Sequence, residues 1–214
     1  MMKNKDITVV ICAAGMGTRL GIGTTKALVH VCGKPLIIRQ LELLNDYDDV
    51  RIVLGYQADK VMEVVNKYRK DIMFAFNYDY ANTGAAASLS KGILGARKYV
   101  VSIDGDLLIN KEDFCEFMEY DGECIAVSEC YSDEPAKIEV INNKATCFGV
   151  DSRYEWPGLV KVRKANLKEY NGYTYEVLQE LLPMQTFFVD ARDIDTPDDY
   201  DRAIEWAKSN DIYV

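Results

Sequence analysis

A continuous apolar run at residues 7–13 gives way at once to Gly15 and Gly17. The run is rich in β-branched residues, which pack well on a pleated surface. It reads as a strand buried on both faces, and such a strand needs helices on both sides of its sheet. The following segments carry the matching periodicities. Pro35 can open a helix in which Leu36, Ile37, Gln40, Leu41 and Leu44 recur at helical spacing. Residues 50–54 read as a second strand, and 57–70 as an amphipathic helix with Val61, Val64, Val65 and Tyr68 on one stripe. Residues 72–76 read as a third strand, 85–97 as a helix, and 99–103 as a fourth strand ending on Asp104-Gly105-Asp106. This alternation predicts an α/β, Rossmann-like fold with a mostly parallel central sheet flanked by helices. Ligands of such sheets bind beyond the carboxyl ends of the strands. Three polar segments fall there: the loops after Ala13 and Phe76, and the Asp-Gly-Asp after Ile103.

From about residue 122 the pattern changes. Short strand-like runs at 124–129, 137–141 and 145–150 are split by turn signals such as Asn142-Asn143. They predict a small β-rich insertion over about 122–164 that forms part of a substrate pocket. Residues 167–170 and 175–182 read as helical, 186–189 as a strand, and 198–208 as a closing helix. No linker, low-complexity segment or repeat divides the chain, so one domain over 1–214 is expected.

The net charge of −9 disfavours nucleic acid and anionic membranes, which bind basic patches. An anionic substrate therefore needs a local cluster of cations and backbone N–H groups. No apolar stretch approaches the roughly 20 residues of a membrane span, and the run at 7–14 is too short and leads into glycines. A cytoplasmic protein is expected. The six cysteines form no C-x-x-C pair and His30 is the single histidine, so packed, reduced thiols are expected rather than a zinc site. Oligomeric state is not legible, a homodimer being one option.

The loop Ala13-Ala14-Gly15-Met16-Gly17-Thr18-Arg19-Leu20-Gly21 precedes Lys26. Its glycines let several backbone N–H groups approach phosphate oxygens, while Arg19 and Lys26 add mobile positive charge. A dinucleotide-binding loop would need a third glycine, where Leu20 stands, and an acidic residue closing the second strand. A P-loop would need G-x-x-x-x-G-K-[ST], and Lys26 lies instead between Thr25 and Ala27. The pattern A-A-G-x-G-[TS]-R-L, a spacer and a lysine resembles instead the loop signature of the nucleotidyltransferases.

On these residues, and on Lys26-Ala27-Leu28, Gly33-Lys34-Pro35-Leu36, Asp104-Gly105-Asp106 and Asp195-Thr196-Pro197-Asp198-Asp199-Tyr200, the chain resembles the sugar-phosphate and small-alcohol-phosphate nucleotidyltransferases. Within them it is most similar to the bacterial phosphocholine cytidylyltransferases. One departure is Thr25, where the family usually has proline before the lysine. The resemblance implies that Ala13, Ala14, Gly15, Met16, Gly17 and Thr18 bind the triphosphate and that Lys26 and Arg19 are catalytic.

Nucleotidyl transfer needs a divalent cation, and magnesium favours one or two carboxylates plus phosphate oxygens and water. Asp106 and Asp195 follow two strand candidates and are the expected Mg²⁺ ligands, a pair that the resemblance also implies; Asp104 is a supporting residue. Asp-Gly-Asp also suits a turn, and Thr196-Pro197 suits a helix cap. In the loop after the third strand, Asn82, Gly84 and Ser88 are candidates to read a pyrimidine edge. The segment Tyr154-Glu155-Trp156-Pro157-Gly158, with Tyr173 and Tyr175, is the candidate acceptor side, where aromatic faces and a carboxylate suit an ammonium group. Lys161, Arg163 or Lys164 would meet the acceptor phosphate. The expected activity is transfer of CMP from CTP, or of another nucleoside monophosphate, to a small phosphate or phosphonate monoester such as phosphocholine, releasing pyrophosphate. Sugar-1-phosphate nucleotidyl transfer and a nucleotide-binding regulatory protein without catalysis are the alternatives.

Overall fold

The computed structural model describes residues 5–210. In chain order the strands are β1 (Ile7–Ala13), β2 (His30–Val31), β3 (Lys34–Pro35), β4 (Val50–Leu54), β5 (Met73–Phe76), β6 (Tyr99–Asp104), β7 (Leu107–Ile109), β8 (Cys124–Glu129), β9 (Ile138–Ile141), β10 (Lys144–Phe148), β11 (Tyr154–Glu155), β12 (Leu159–Arg163), β13 (Met184–Phe188) and β14 (Ala191–Asp193). The helices are α1 (Leu36–Leu43), α2 (Ala58–Tyr68), α3 (Ala85–Gly92), α4 (Lys111–Glu119), α5 (Thr174–Gln179) and α6 (Pro197–Ser209).

The central sheet runs β5-β4-β1-β6-β12-β8-β13-β10-β9, with β11 paired to β8. The β5, β4, β1 and β6 strands are mutually parallel. On the far side β12 and β10 oppose the common direction, while β8 and β13 share it. The result is the expected mostly parallel α/β sheet. The β-rich segment at 122–164 is present, and its two ends lie inside the central sheet, β12 beside β6 and β8 beyond β12.

The uninterrupted apolar character of β1 follows from this layering. Val9 and Ile11 face a core with Ile37, Leu41, Val61 and Phe114, beneath α1, α2 and α4. Val10 faces the opposite core with Ala86, Leu89 and Ile93, beneath α3. All three β1 residues are fully buried. Truncating one of them to alanine would cost about 2–5 kcal/mol.

Two helix expectations are corrected. The helix expected at 85–97 ends at Gly92. Gly95 turns the chain with φ 66°, a left-handed value that a helix cannot continue through, and the buried Arg51 guanidinium donates to the carbonyls of Gly92, Leu94 and Gly95. Residues 167–170 are not helical. Their neighbourhood is tied to α3 instead: the Tyr170 N–H donates to Ser90 Oγ, and the Gly84 and Ala86 N–H groups donate to the Asn171 and Gly172 carbonyls. The α5 helix also stops at Gln179, short of the expected 182.

Candidate functional site

The glycine loop leaves the carboxyl end of β1, as expected for a sheet of this kind. Ala13, Gly15, Gly17, Thr18, Arg19 and Lys26 line one cavity with Cys12, Thr25, Ala27, Gly105 and Asp106. Gly17 needs to be glycine on two counts. Its φ is 62°, and a Cβ there would lie 3.0 Å from Lys26 Cγ. Ala14 is buried and its carbonyl accepts from Tyr56 N–H at 3.0 Å, while Met16 is exposed.

Lys26 opens a tight helical turn after Thr25. Thr25 has φ −64° and ψ 144°, the φ that a proline ring would impose. Its hydroxyl donates to the Gly15 carbonyl at 3.4 Å. The backbone that carries Lys26 is therefore set as proline would set it.

The Asp104-Gly105-Asp106 turn joins β6 to β7. Gln40 of α1, itself buried, donates to the carbonyls of Asp104 and Leu107 at 2.8 Å each. The Gly105 N–H donates to the Cys12 carbonyl at 3.0 Å. Strand β14 pairs with β7 in antiparallel fashion, with Asp193 opposite Leu107. That pairing carries Asp195 to the same spot. Thr196 and Asp199 form a capping box for α6, with Pro197 in its first turn. The cap and the carboxylate coexist because the cap is Thr196 and Asp195 precedes it.

Seven ionisable side chains meet here. Lys26 Nζ lies 2.9 Å from Asp106 Oδ2 and also contacts Asp195 Oδ1. Arg19 bridges Asp195 and Glu134 at 2.7 and 2.8 Å. Burial raises the Asp104 carboxyl well above the usual carboxylate range, and neighbouring Asp106 raises it further. Burial, then Asp106, pushes Asp193 up to about 7. Asp104 Oδ1 is buried and has no hydrogen-bond partner among the described residues. Gly158 packs directly over Asp104, since a Cβ there would sit 2.7 Å from Asp104 Oδ2. The carboxylates outnumber the cations, and two of them already flank a single ammonium. Among the described residues no three His, Cys, Asp or Glu side chains gather as a closed metal cage. Two carboxylates open to a cavity are what magnesium takes when phosphate oxygens complete its shell, so the donor set fits that ion.

On the other side of the glycine loop lies a cavity of about 200 Å³, lined by Tyr80, Thr83, Gly84, Ala85 and Ser88 with Cys12, Ala14, Gly15, Asp104 and Asp106. Gly84 and Ser88 therefore border it. Asn82 does not: it is exposed, and its amide donates to Asp79 Oδ1 at 2.7 Å.

A third cavity, of about 280 Å³, continues from Lys26 and Arg19 to Glu155, Trp156, Pro157, Gly158, Tyr173, Asp193 and Asp195. The segment singled out from sequence at 154–158 thus borders it, except that Tyr154 stacks under Arg153. Tyr173 and Tyr175 stack with centroids 5.7 Å apart, and Phe148 packs against both Tyr175 and Trp156. Trp156 is buried and donates to the Leu159 carbonyl. Glu155 accepts from Tyr131 N–H and Ser132 Oγ. Glu134, Asp193 and Ser132 are site residues that the sequence patterns did not single out.

The three cations expected to meet an acceptor phosphate are elsewhere. Strand β12 runs antiparallel to β6, pairing Leu159 with Ile103 and Arg163 with Tyr99. It carries residues 161–164 away from the Asp-Gly-Asp turn to the opposite end of the sheet. Lys161 is buried there, and its ammonium donates to the carbonyls of Phe117, Met118 and Tyr120 at the end of α4. Burial pushes its pKa down. Arg163 reaches Glu123, and the Lys164 N–H donates to the Lys98 carbonyl.

Residues 9–148 match the MobA-like NTP transferase domain. The chain belongs to that family. This MobA-like NTP transferase is 33% identical over 129 residues to the bifunctional protein GlmU of Sulfurimonas denitrificans, covering 58% of the chain and 29% of the relative. It is 28% identical over 178 residues to the GlmU of Aliarcobacter butzleri, covering 81% of the chain and 40% of the relative. The chain therefore spans less than half the length of these curated relatives. Its fold is similar to the inositol-1-phosphate CTP transferase from T. maritima, with a TM-score of 0.78 at 18% identity over 97% of this chain and 98% of the other. It is also similar to the CTP:phosphocholine cytidylyltransferase LicC from Streptococcus pneumoniae, with a TM-score of 0.75 at 21% identity over 94% and 99%. Among the described residues no helix is long and apolar enough to cross a membrane.

Proposed function

We propose that this protein transfers CMP from CTP to a small phosphate or phosphonate monoester bearing a cationic amine, such as phosphocholine, and releases pyrophosphate. The observation that carries this reading is the meeting of Lys26, Asp106 and Asp195 at the mouth of the glycine loop. The backbone of Gly15 to Thr18 cradles the triphosphate, and Lys26 and Arg19 turn from their carboxylates to its oxygens. The acceptor phosphate oxygen is already an anion, so it attacks the α-phosphorus without a general base. Catalysis is then positioning and charge stabilisation. Asp106 and Asp195 would hold Mg²⁺, which when bound neutralises charge on the α-phosphate and the leaving pyrophosphate.

The cationic acceptor is supported by the third cavity, where the carboxyl groups of Asp193 and Glu155 stand with Trp156 and Tyr173. The CTP assignment is supported by the names of the two structural relatives. Sugar-1-phosphate transfer is the second reading, favoured by the GlmU match over 81% of the chain. A matrix of four NTPs against phosphocholine, phosphoethanolamine, aminoethylphosphonate and sugar phosphates, scored by pyrophosphate release with and without Mg²⁺, separates the two. Release with CTP and an amine-bearing acceptor supports the first reading, and release only with a sugar phosphate replaces it.

A further inference from the structure

Gln40 puts a primary amide on an otherwise apolar stripe of α1: it is 1% exposed, and Ile37 and Leu41 beside it are fully buried. Burying an amide costs stability unless it is hydrogen-bonded. Its Nε2 donates to the carbonyls of Asp104 and Leu107, at 2.8 Å each. Carbonyls only accept, so the nitrogen must face them and the amide has one orientation. Its Oε1 is buried and has no hydrogen-bond partner among the described residues. A methionine would fill the same space without that orphan oxygen. What it could not do is donate to both carbonyls, of which one precedes Asp106 in the chain and the other follows it.

The same helix braces Lys26. The Leu36 N–H, at the start of α1, donates to the Val29 carbonyl at 2.8 Å, and the Val29 N–H donates to the Lys26 carbonyl at 3.0 Å. Leu36 and Gln40 are one helical turn apart, about 6 Å along a rigid element. One turn of α1 therefore sets the backbone that carries Lys26 against the turn that carries Asp106, and the two side chains meet at 2.9 Å. Beyond Asp106, Leu107 opposes Asp193 on β14, and the Ile194 N–H donates to the Asp106 carbonyl at 3.1 Å. The segment that leads to Asp195 is thus registered on the turn that Gln40 holds.

We propose that Gln40 is a positioning residue: through two backbone carbonyls it holds Asp106 where that carboxylate meets Lys26 and, in the nucleotide complex, the divalent cation. This rests on the nucleotidyltransferase reading above. Gln40 touches no reacting atom. Its effect is geometric, and a displacement of about 1 Å at such a site can cost about 10²-fold.

The test is equilibrium binding of the four NTPs by calorimetry on the full chain, with excess Mg²⁺ and with EDTA. It needs no acceptor. The wild type binds its preferred nucleotide more tightly with Mg²⁺, and the ratio of the two dissociation constants reads how well the carboxylates meet the cation. Gln40→Met removes both donors, and that ratio falls about tenfold. Ile37→Val, a control in the same helix with no bond to the turn, leaves it at the wild-type value. A merely structural role for Gln40 would lower the urea midpoint and leave the ratio unchanged, and that result in a folded Gln40→Met protein overturns the inference. So does an equal fall in Ile37→Val, which would trace the effect to a general loosening of α1. If Gln40→Met does not fold, Gln40→Glu takes its place. A carboxyl group offers at most one donor, so at least one bond is lost, and an unchanged ratio there overturns the inference. A wild type that gains nothing from Mg²⁺ does so as well. Failure of all four NTPs to bind rejects the nucleotidyltransferase reading itself, which no change of ratio does.

Discussion

Lys26 Nζ lies 2.9 Å from Asp106 Oδ2 with Asp195 on its other side, so one ammonium ties the glycine loop to the ends of two strands. One ammonium against two carboxylates leaves an excess of negative charge in the free protein, and the three groups are mutually dependent. Replacing Lys26 with alanine removes the charge that stabilises the transferring phosphate and leaves two carboxylates facing each other. We expect Lys26→Ala and Asp106→Ala each to lower kcat by about 10²–10³, by analogy with the loss of one preorganised electrostatic partner. Pyrophosphate release from CTP is the measurement, with circular dichroism as the control for folding. Near-normal turnover in either variant rejects the site.

Asp49 yields a pH dependence of stability that is separate from catalysis. Burial raises its carboxyl pKa, and hydrogen bonds from Arg51 and Thr8 more than reverse that, so the net shift is downward. The folded pKa lies below the unfolded value of about 3.9. Protons therefore bind the unfolded chain more readily, and the stabilisation is complete above about pH 4 and fades as pH falls through the folded pKa. Asp49→Asn should lower the urea midpoint at pH 7, and the gap from wild type should narrow at pH 3. A gap that does not change with pH contradicts this account.

The glycine loop was legible because its chemistry is local: phosphate donors and cations lie within residues 13–26. Asp106 was singled out because it follows a buried strand, and Asp195 because it follows a second strand candidate and lies in a segment that carries the family resemblance. The acceptor cations were misassigned for a physical reason. Strand β12 was not among the strands read from the sequence, and a sequence pattern does not give a strand's direction. Proximity in sequence to Trp156 suggested Lys161, Arg163 or Lys164, and the antiparallel pairing of β12 with β6 carries that stretch to the opposite end of the sheet. Glu134 was missed because nothing local distinguishes it from a solvated loop carboxylate. Only the fold brings it to Arg19.

Thr25 stands where the resembling family has proline, yet its φ of −64° is already that of a proline. Its bond to Gly15 is long, at 3.4 Å, and its N–H donates to no acceptor among the described residues. Thr25→Pro should therefore keep the turn that carries Lys26. We expect activity within about twofold of wild type, a margin of roughly 0.4 kcal/mol in the barrier. We also expect a gain of about 0.4–1 kcal/mol in stability from the stiffened unfolded chain. Thermal melts and CTP-dependent pyrophosphate release check both. A large loss of activity would mean that the hydroxyl, not the backbone, sets the loop.

Lys161 separates a structural cation from a substrate-binding one. Its ammonium serves three carbonyls at the end of α4, among them Met118 at 3.1 Å, and it lies at the end of the sheet away from Asp106. Lys161→Met keeps the buried stem and removes the donors, leaving those carbonyls unpaired at a cost of about 1–3 kcal/mol. The urea midpoint should fall accordingly, while KM for the acceptor and kcat stay at wild-type values under conditions where the variant is folded. A rise in acceptor KM without loss of stability would restore Lys161 to the acceptor pocket, and the β12–β6 register would then be in error.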